Sequence, residues 1–411
     1  MITSYDPKKF IDREAELDFL LEIASSVFEN QILSPSKRVV HLIGRSGIGK
    51  SWLTQKLCDV LSKDNSKSFY PIYVNLVEYT SLSANDFMAE VLKFIDKKVS
   101  KELKIDSPFP KTDYSVKDYS EWIFRCFEQI HQEKAVVLLF DEVSLLSSEQ
   151  LNAIEYYLLA SILHMPKVVL LLAGRRAVTG WKDFSLRPRR DSNAKELSSF
   201  NFENTQKQIK ILNPQADDLA PRIHEISGGS PGNNKKILDQ IISDPPQIVE
   251  LDALRACNQE VYDALARAGQ ELPENIAAEL LPALEALCVL QDFDKEYELP
   301  VLLETHNGLN GVRDVKRSAS LLNALSGIQV GPGKLVDWDK NKSAYAIEEQ
   351  IRFSLEQELK IRNKDLWKIL HCTAMKLYAQ WARDYHSDIF GAKSDYHKIQ
   401  LAEAGFDPDN C

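Results

Sequence analysis

The sequence predicts an α/β protein: a doubly wound parallel sheet in the first half, followed by a mostly helical second half. Three observations carry this. Largely apolar segments at 39–43, 70–76, 135–140 and 167–173, with 136–140 a continuous apolar run, read as strands buried in a parallel sheet. Segments with helical spacing at 52–61, 84–99 and 116–132 alternate with them, and strand–helix alternation is how a doubly wound sheet is built. After Arg190 the strand signals stop and helical patterns take over.

The first run leads straight into Gly44-Arg45-Ser46-Gly47-Ile48-Gly49-Lys50-Ser51, and the helical spacing resumes at Trp52. A G-x-x-x-x-G-K-[ST] segment between a strand and a helix predicts a loop that cradles phosphates. Glycines let the backbone approach anionic oxygens in conformations closed to other residues. Successive amides form a nest, and the following helix points its positive end at the same place. Lys50 is suited to the β and γ phosphates of a nucleoside triphosphate, and Ser51 to Mg²⁺. The run 136–140 ends in Asp141-Glu142. Carboxylates at the carboxyl end of a buried strand lie in the crevice where α/β sheets bind ligands. There Asp141 is placed to hold the magnesium shell and Glu142 to activate an attacking water.

Between these segments, 105–115 carries two prolines and reads as a surface loop. Ser147 and Gln150 form a capping box for a helix with Leu151, Ile154, Leu158 and Ile162 on one face. Further on, 203–212 and 217–226 read as helices. Gly228-Gly229-Ser230-Pro231-Gly232 breaks the chain before another helix at 234–242, and Pro245-Pro246 marks a linker. From Glu260 the pattern is helical except at 334–347, where two apolar stretches flank Asp339-Lys340-Asn341-Lys342 as a β-hairpin. Three helices and then a hairpin, over 281–347, is the order of a winged helix. The stretch 348–385 reads as long and amphipathic.

The 411 residues predict roughly two to four domains. A composition 44% hydrophobic and 27% charged is that of an ordinary globular chain, and a net charge of −10 argues against non-specific attachment to DNA. The six cysteines, Cys58, Cys126, Cys257, Cys288, Cys372 and Cys411, form no C-x-x-C pair. Scattered cysteines without a signal peptide or a bilayer-length apolar run predict a reducing, cytoplasmic setting.

Against this background Phe10-Ile11-Asp12-Arg13-Glu14-Ala15-Glu16-Leu17 resembles the F-x-x-R-E-x-E-L segment ahead of the phosphate loop in STAND ATPases. These are signal-transduction NTPases related to the AAA+ and apoptotic NB-ARC proteins. Leu171-Leu172-Ala173-Gly174-Arg175-Arg176 is similar to their fourth-strand motif, which ends in an arginine near the γ-phosphate; Arg175 and Arg176 both qualify. Gly229-Ser230-Pro231 matches their G-x-P motif, whose proline lies against the adenine. The resemblance runs over about residues 8–385. It implies a P-loop NTPase core at 1–198, a helical lid at 199–256, a winged-helix domain at 257–347 and a C-terminal helical segment at 348–411. It also implies ATP or ADP with Mg²⁺ as ligands, held by Arg13, Gly44, Ser46, Gly47, Ile48, Gly49, Lys50, Ser51, Trp52 and Pro231. Ser51 and Asp141 would face the metal, and Lys50, Asp141, Glu142, Arg175 and Arg176 the chemistry. No N-K-x-D guanine motif follows the last core strand, which favours adenine. An effector domain before the core and a repeat array after the winged helix are usual in that family. Their lack here implies either a piece of a longer protein or separate sensor and effector partners.

Three functions are compatible with these residues. The first is a slowly hydrolysing molecular switch whose ATP and ADP states differ in domain arrangement and in self-association, for defence or transcriptional control. The second is an origin-recognition-like ATPase that binds DNA through its winged helix, with Arg313, Lys316 and Arg317 on the recognition helix. The acidic residues around it, including Asp292, Asp294, Glu298 and Glu304, oppose phosphate binding and favour a packing role. The third, a small-molecule phosphotransferase, is opposed by the lid and wing. Arg187, Arg189 and Arg190 form a basic cluster that fits either a solvated loop or a residue acting on a neighbour's nucleotide.

Overall fold

The computed structural model describes residues 5–29, 34–63, 68–107, 115–175, 177–178, 180–189, 193–241, 248–294, 297–306, 315–330, 333–339 and 343–411. The chain divides into two compact units, Met1–Ile211 and Leu212–Cys411.

The first unit is built in the order α1 (Glu14–Phe28), β1 (Val39–Ile43), α2 (Lys50–Ser62), β2 (Phe69–Asn75), α3 (Ala84–Leu103), α4 (Val116–Glu133) and β3 (Ala135–Asp141). It continues with α5 (Ser148–Ile154), a π-helical turn (Glu155–Leu159), α6 (Ala160–Ile162), β4 (Val168–Gly174), β5 (Ala194–Glu196) and α7 (Phe202–Leu212). The sheet order is β2-β3-β4-β1-β5, and every pairing is parallel. Side chains along a strand alternate between faces, and the apolar runs divide accordingly. Val136, Leu138 and Phe140 of β3, with Val168, Leu170 and Leu172 of β4, enter one core together with Phe87, Val91, Ile123 and Phe127 of α3 and α4. Ala135, Val137, Leu139, Val169, Leu171 and Ala173 enter the other, with Leu20, Leu53 and Leu57 of α1 and α2. An unbroken hydrophobic run is therefore two half-runs, each covered by its own helical layer.

Local chemistry sets the helix starts. Ser115 and Asp118 close a capping box on α4, and Ser147 and Gln150 close the predicted one on α5. The predicted helix beyond Ser147 forms, but it passes through the π-helical turn, where the buried Glu155 carboxylate accepts the amides of Lys182 (3.1 Å) and Asp183 (2.6 Å). The expectation that strands end before Arg190 is corrected by β5. This three-residue edge strand, Ala194-Lys195-Glu196, is part-exposed and polar, and pairs only with β1, so it carries no apolar run. His41, inside β1, is buried with Nε2 2.9 Å from the Leu186 carbonyl, and burial pushes its pKa down to about 4. Part of the predicted loop at 105–115 lies outside the described residues, as does Pro245-Pro246.

The second unit is helical: α8 (Ala220–Ser227), α9 (Pro231–Gln240), α10 (Glu250–Glu271), α11 (Glu274–Ala277), α12 (Leu280–Leu287), α13 (Glu298–Thr305) and α14 (Val315–Gly327). Short strands follow, β6 (Gln329–Val330), β7 (Gly333–Lys334), β8 (Val336–Asp339) and β9 (Ala344–Ile347), then α15 (Glu349–Arg362), α16 (Lys364–Asp384) and α17 (Asp388–Glu403). The predicted hairpin is present, with Val336 opposite Ile347, and a shorter antiparallel pair, β6–β7, precedes it after α14. Leu284, Leu302 and Leu322 from α12, α13 and α14 share one core with Trp367, Leu370 and Leu401 from α16 and α17. The predicted long segment at 348–385 is two helices. Asn363 breaks it at φ −146°, ψ 76°, and its side chain caps α16 by accepting from the Leu366 amide. A disulfide joins Cys372 and Cys411, which the scattered spacing of the cysteines did not predict. Arg313 and the side chains of Lys316 and Arg317 lie outside the described residues.

Candidate functional site

The carboxyl edge of the sheet brings four strand ends together. Ile43 at the end of β1 is in register with Gly174 at the end of β4, and Asp141 at the end of β3 is in register with Asn75 of β2. The loop after β1 is held at its base by the Gly44 amide donating to the Gly174 carbonyl (3.2 Å). Two kinds of glycine shape it. Gly47 (φ 74°) and Gly49 (φ 103°) take the left-handed backbone that a side chain would strain. Gly44 does not; a Cβ there would stand 2.9 Å from Ile48 Cγ2, so its lack of a side chain lets the loop fold over the buried Ile48.

Lys50 starts α2 and is 4% exposed. Its ammonium donates to the carbonyls of Gly44 (2.7 Å) and Arg45 (3.0 Å) and stands 3.9 Å from Glu142 Oε1. Ser51 and Trp52 follow on the first turn, and the Trp52 ring packs edge-on against Tyr5 at 5.6 Å. Asp141 is 1% exposed; its Oδ1 accepts the Glu142 amide at 3.0 Å and its Oδ2 accepts the Tyr73 hydroxyl at 2.8 Å. Glu142 has a left-handed backbone, φ 61°, a conformation that costs a non-glycine residue on the order of 1–3 kcal/mol. Burial pushes its carboxyl pKa up, nearby Lys50 opposes the shift, and Asp141 adds to it. Among the described residues its Oε2 is buried with no hydrogen-bond partner. Arg175 follows β4; its amide donates to Ser144 Oγ at 3.0 Å, and its Nε is also buried without a partner among the described residues. Arg176 lies outside the described residues. Lys50, Asp141, Glu142 and Arg175 thus converge on one edge, with orphaned polar atoms on two of them.

The loop and carboxylates fit a nucleotide with Mg²⁺. The donors are hard oxygens, a serine hydroxyl and an aspartate, and magnesium usually takes one or two protein oxygens while phosphates and water supply the rest. Among the described residues no three His, Cys, Asp or Glu side chains gather to hold a metal alone.

Arg13 is placed beneath the loop. It is 4% exposed, and its guanidinium donates to the carbonyls of Ile48 (3.2 Å) and Ser198 (2.5 Å) and lies over the Phe200 ring. Left-handed backbone at Asp12 (φ 60°) and Arg13 (φ 79°) turns it inward. Arg13 therefore braces the phosphate loop from behind. Arg13→Ala leaves the buried Ile48 carbonyl without this donor, at about 1–3 kcal/mol, whereas water can replace the bond to the exposed Ser198. We expect a melting temperature lower by roughly 2–10 °C, measured by thermal unfolding.

Pro231 belongs to the second unit, where Gly228 (φ 60°) ends α8, Ser230 caps α9 by accepting the Asn233 amide, and Pro231 fills the first helical position. This stop-and-start chemistry accounts for the Gly-Gly-Ser-Pro sequence locally. Two residues at the carboxyl edge have no counterpart in the sequence reading, Tyr73 and Ser144. Strand spacing marks Tyr73 as sharing a face with Asn75, but only the pairing of β2 with β3 brings it to Asp141.

A five-stranded parallel sheet in this order, with this loop and these carboxylates, is an AAA-type P-loop core followed by a helical C-terminal region. Residues 34–180 match a family described as an AAA domain. No curated protein matches the chain. Among solved structures, the Orc1 protein of Aeropyrum pernix in complex with DNA is similar at 14% identity and TM-score 0.45, covering 86% of this chain and 93% of that one. Cdc6p from Pyrobaculum aerophilum is similar at 18% identity and TM-score 0.45, covering 88% and 97%. A STAND protein with a tetratricopeptide repeat sensor from Pyrococcus horikoshii is similar at 14% identity and TM-score 0.34, covering 98% and 56%.

Proposed function

We propose that the chain is a cytoplasmic STAND-type switch that binds ATP with Mg²⁺, hydrolyses it slowly and changes domain arrangement and self-association with the nucleotide state. The observation that carries this is the convergence of Lys50, Asp141, Glu142 and Arg175 beside the phosphate loop, with Glu142 Oε2 and Arg175 Nε buried and unpartnered among the described residues. Buried polar atoms without partners are rare, and at a phosphate loop they point to a charged ligand and its water.

In this reading the loop amides of residues 44–51 and the Lys50 ammonium bind the phosphate chain. Magnesium, when bound, neutralises charge on the β and γ phosphates. Ser51 and Asp141 orient its shell. Glu142 accepts the proton of the attacking water, a task suited to a carboxylate with a raised pKa. Arg175 reads the γ-phosphate, because a guanidinium there loses its charge partner on hydrolysis. Arg176 remains the alternative for this role. The lid at 199–256 and the wing at 257–347 carry the change, and the partners are further copies of the chain and separate sensor or effector proteins. We favour the wing as a packing module over a DNA reader. Its helices share their hydrophobic core with α16 and α17, and Glu298 beside them is buried, accepting the Asp294 amide at 2.8 Å. Among the described residues no helix is long and apolar enough to cross a membrane.

The test is size-exclusion chromatography with ADP and with a non-hydrolysable ATP analogue, each with magnesium. A larger species only with the analogue is expected; identical profiles would overturn the switch.

A further inference from the structure

Asp141 is fixed from two sides. Its Oδ1 takes the amide of the next residue, and its Oδ2 takes the hydroxyl of Tyr73, one strand away. At 1% exposure little solvent reaches this carboxylate to replace either bond. Tyr73 precedes by two residues the position paired with Asp141, so strand alternation puts it on the same face, one step back along the sheet. Tyr73 lies on β2, which packs directly against α2, the helix that carries the Ser51 hydroxyl. The strand beside that helix thus fixes the Asp141 carboxylate through one phenol.

From this juxtaposition we infer that Tyr73 is a positioning residue for the magnesium side of the site, holding Asp141 at a fixed angle and distance from the Ser51 turn. The inference rests on the nucleotide reading above and adds a residue to it. Partners that orient a metal's ligands commonly change metal affinity by about 10–100-fold when removed. Asp141 acts on the magnesium shell, so the lower end of that range applies.

The experiment is calorimetric titration of the full chain with ADP, first in EDTA and then across a magnesium series. The readout is the magnesium concentration giving half of the gain in ADP affinity. Tyr73→Phe keeps the ring and removes only the hydroxyl. It is expected to raise that midpoint about tenfold while leaving the metal-free ADP affinity unchanged. In an Asp141→Asn background the same substitution is expected to add little, because the carboxylate it positions is gone. An unchanged midpoint overturns the inference. So does an equal shift in both backgrounds, or a loss of metal-free affinity, which would mean a general disturbance of the site. Failure of the unmodified chain to bind ADP under any condition would instead refute the nucleotide site itself, and this inference with it.

Discussion

Lys50→Ala is expected to weaken ATP and ADP binding by about 10²–10⁴-fold and to leave the chain folded. A hydrogen bond to a charged group contributes about 1.5–3 kcal/mol. Two phosphate contacts therefore amount to about 3–6 kcal/mol, at roughly tenfold in affinity for each 1.4 kcal/mol. The folded state loses much less. The ammonium bonds the loop carbonyls of Gly44 and Arg45 and stands 3.9 Å from Glu142, and it sits at a helix N-terminus, where positive charge is unfavourable. These effects oppose one another. Thermal unfolding separates the two outcomes: a ligand at a hundred times its Kd adds about 2.7 kcal/mol to the folded state. The unmodified chain is expected to melt higher with Mg-ATP, and the variant to melt at the same temperature with and without it. Equal stabilisation of both would refute the role given to the loop.

The loop was legible because its chemistry is local. Glycines at fixed offsets, a lysine and a serine need only their own strand and helix, and Gly47 and Gly49 take the left-handed backbone that the spacing implies. The inner strands were legible for a related reason: β3 and β4, covered on both faces, have no polar residue to interrupt the run, and β1 has only the buried His41. β5 was not, because an edge strand of three residues is covered on neither count. The break at Asn363 was hidden by packing. Leu355 and Leu359 before it and Leu366, Trp367 and Leu370 after it all face one core, so the apolar period crosses the break undisturbed. The local signal was Asn363 itself, a residue that favours helix caps over helix interiors. Within the site, Asp141 and Glu142 announce themselves at the end of a strand, whereas Tyr73 becomes informative only once β2 is known to lie beside β3. Arg13 was legible as part of a motif but not as a brace. Its bonds to Ile48 and Ser198 span 35 and 185 residues, a distance no local pattern encodes.

Glu142→Gln is expected to keep ATP bound and to slow its hydrolysis by about 10²–10⁴-fold, the range a general base contributes. The substitution preserves size and removes only the capacity to take a proton. Binding should persist because Lys50 keeps its loop carbonyls and loses a partner it only approaches, at 3.9 Å. Two pH measurements separate loss of a base from loss of structure. In the unmodified chain, turnover needs the carboxylate ionised, so it should fall on the acid side, with a midpoint above the ordinary glutamate range because burial raises this pKa. The residual turnover of the variant should lack that limb. Stability runs in the opposite sense. A carboxyl whose folded pKa lies above its unfolded value favours the folded state through proton uptake; that contribution is complete below the unfolded pKa and lost as pH rises through the folded one. Glutamine has no such dependence. The variant should therefore be at least as stable as the parent at neutral pH, and its advantage should shrink as pH falls through the carboxylate range. A variant that hydrolyses ATP at the parental rate would remove Glu142 from the chemistry. One that is less stable at neutral pH would show that the buried carboxylate contributes more to the fold than its unpartnered oxygen suggests.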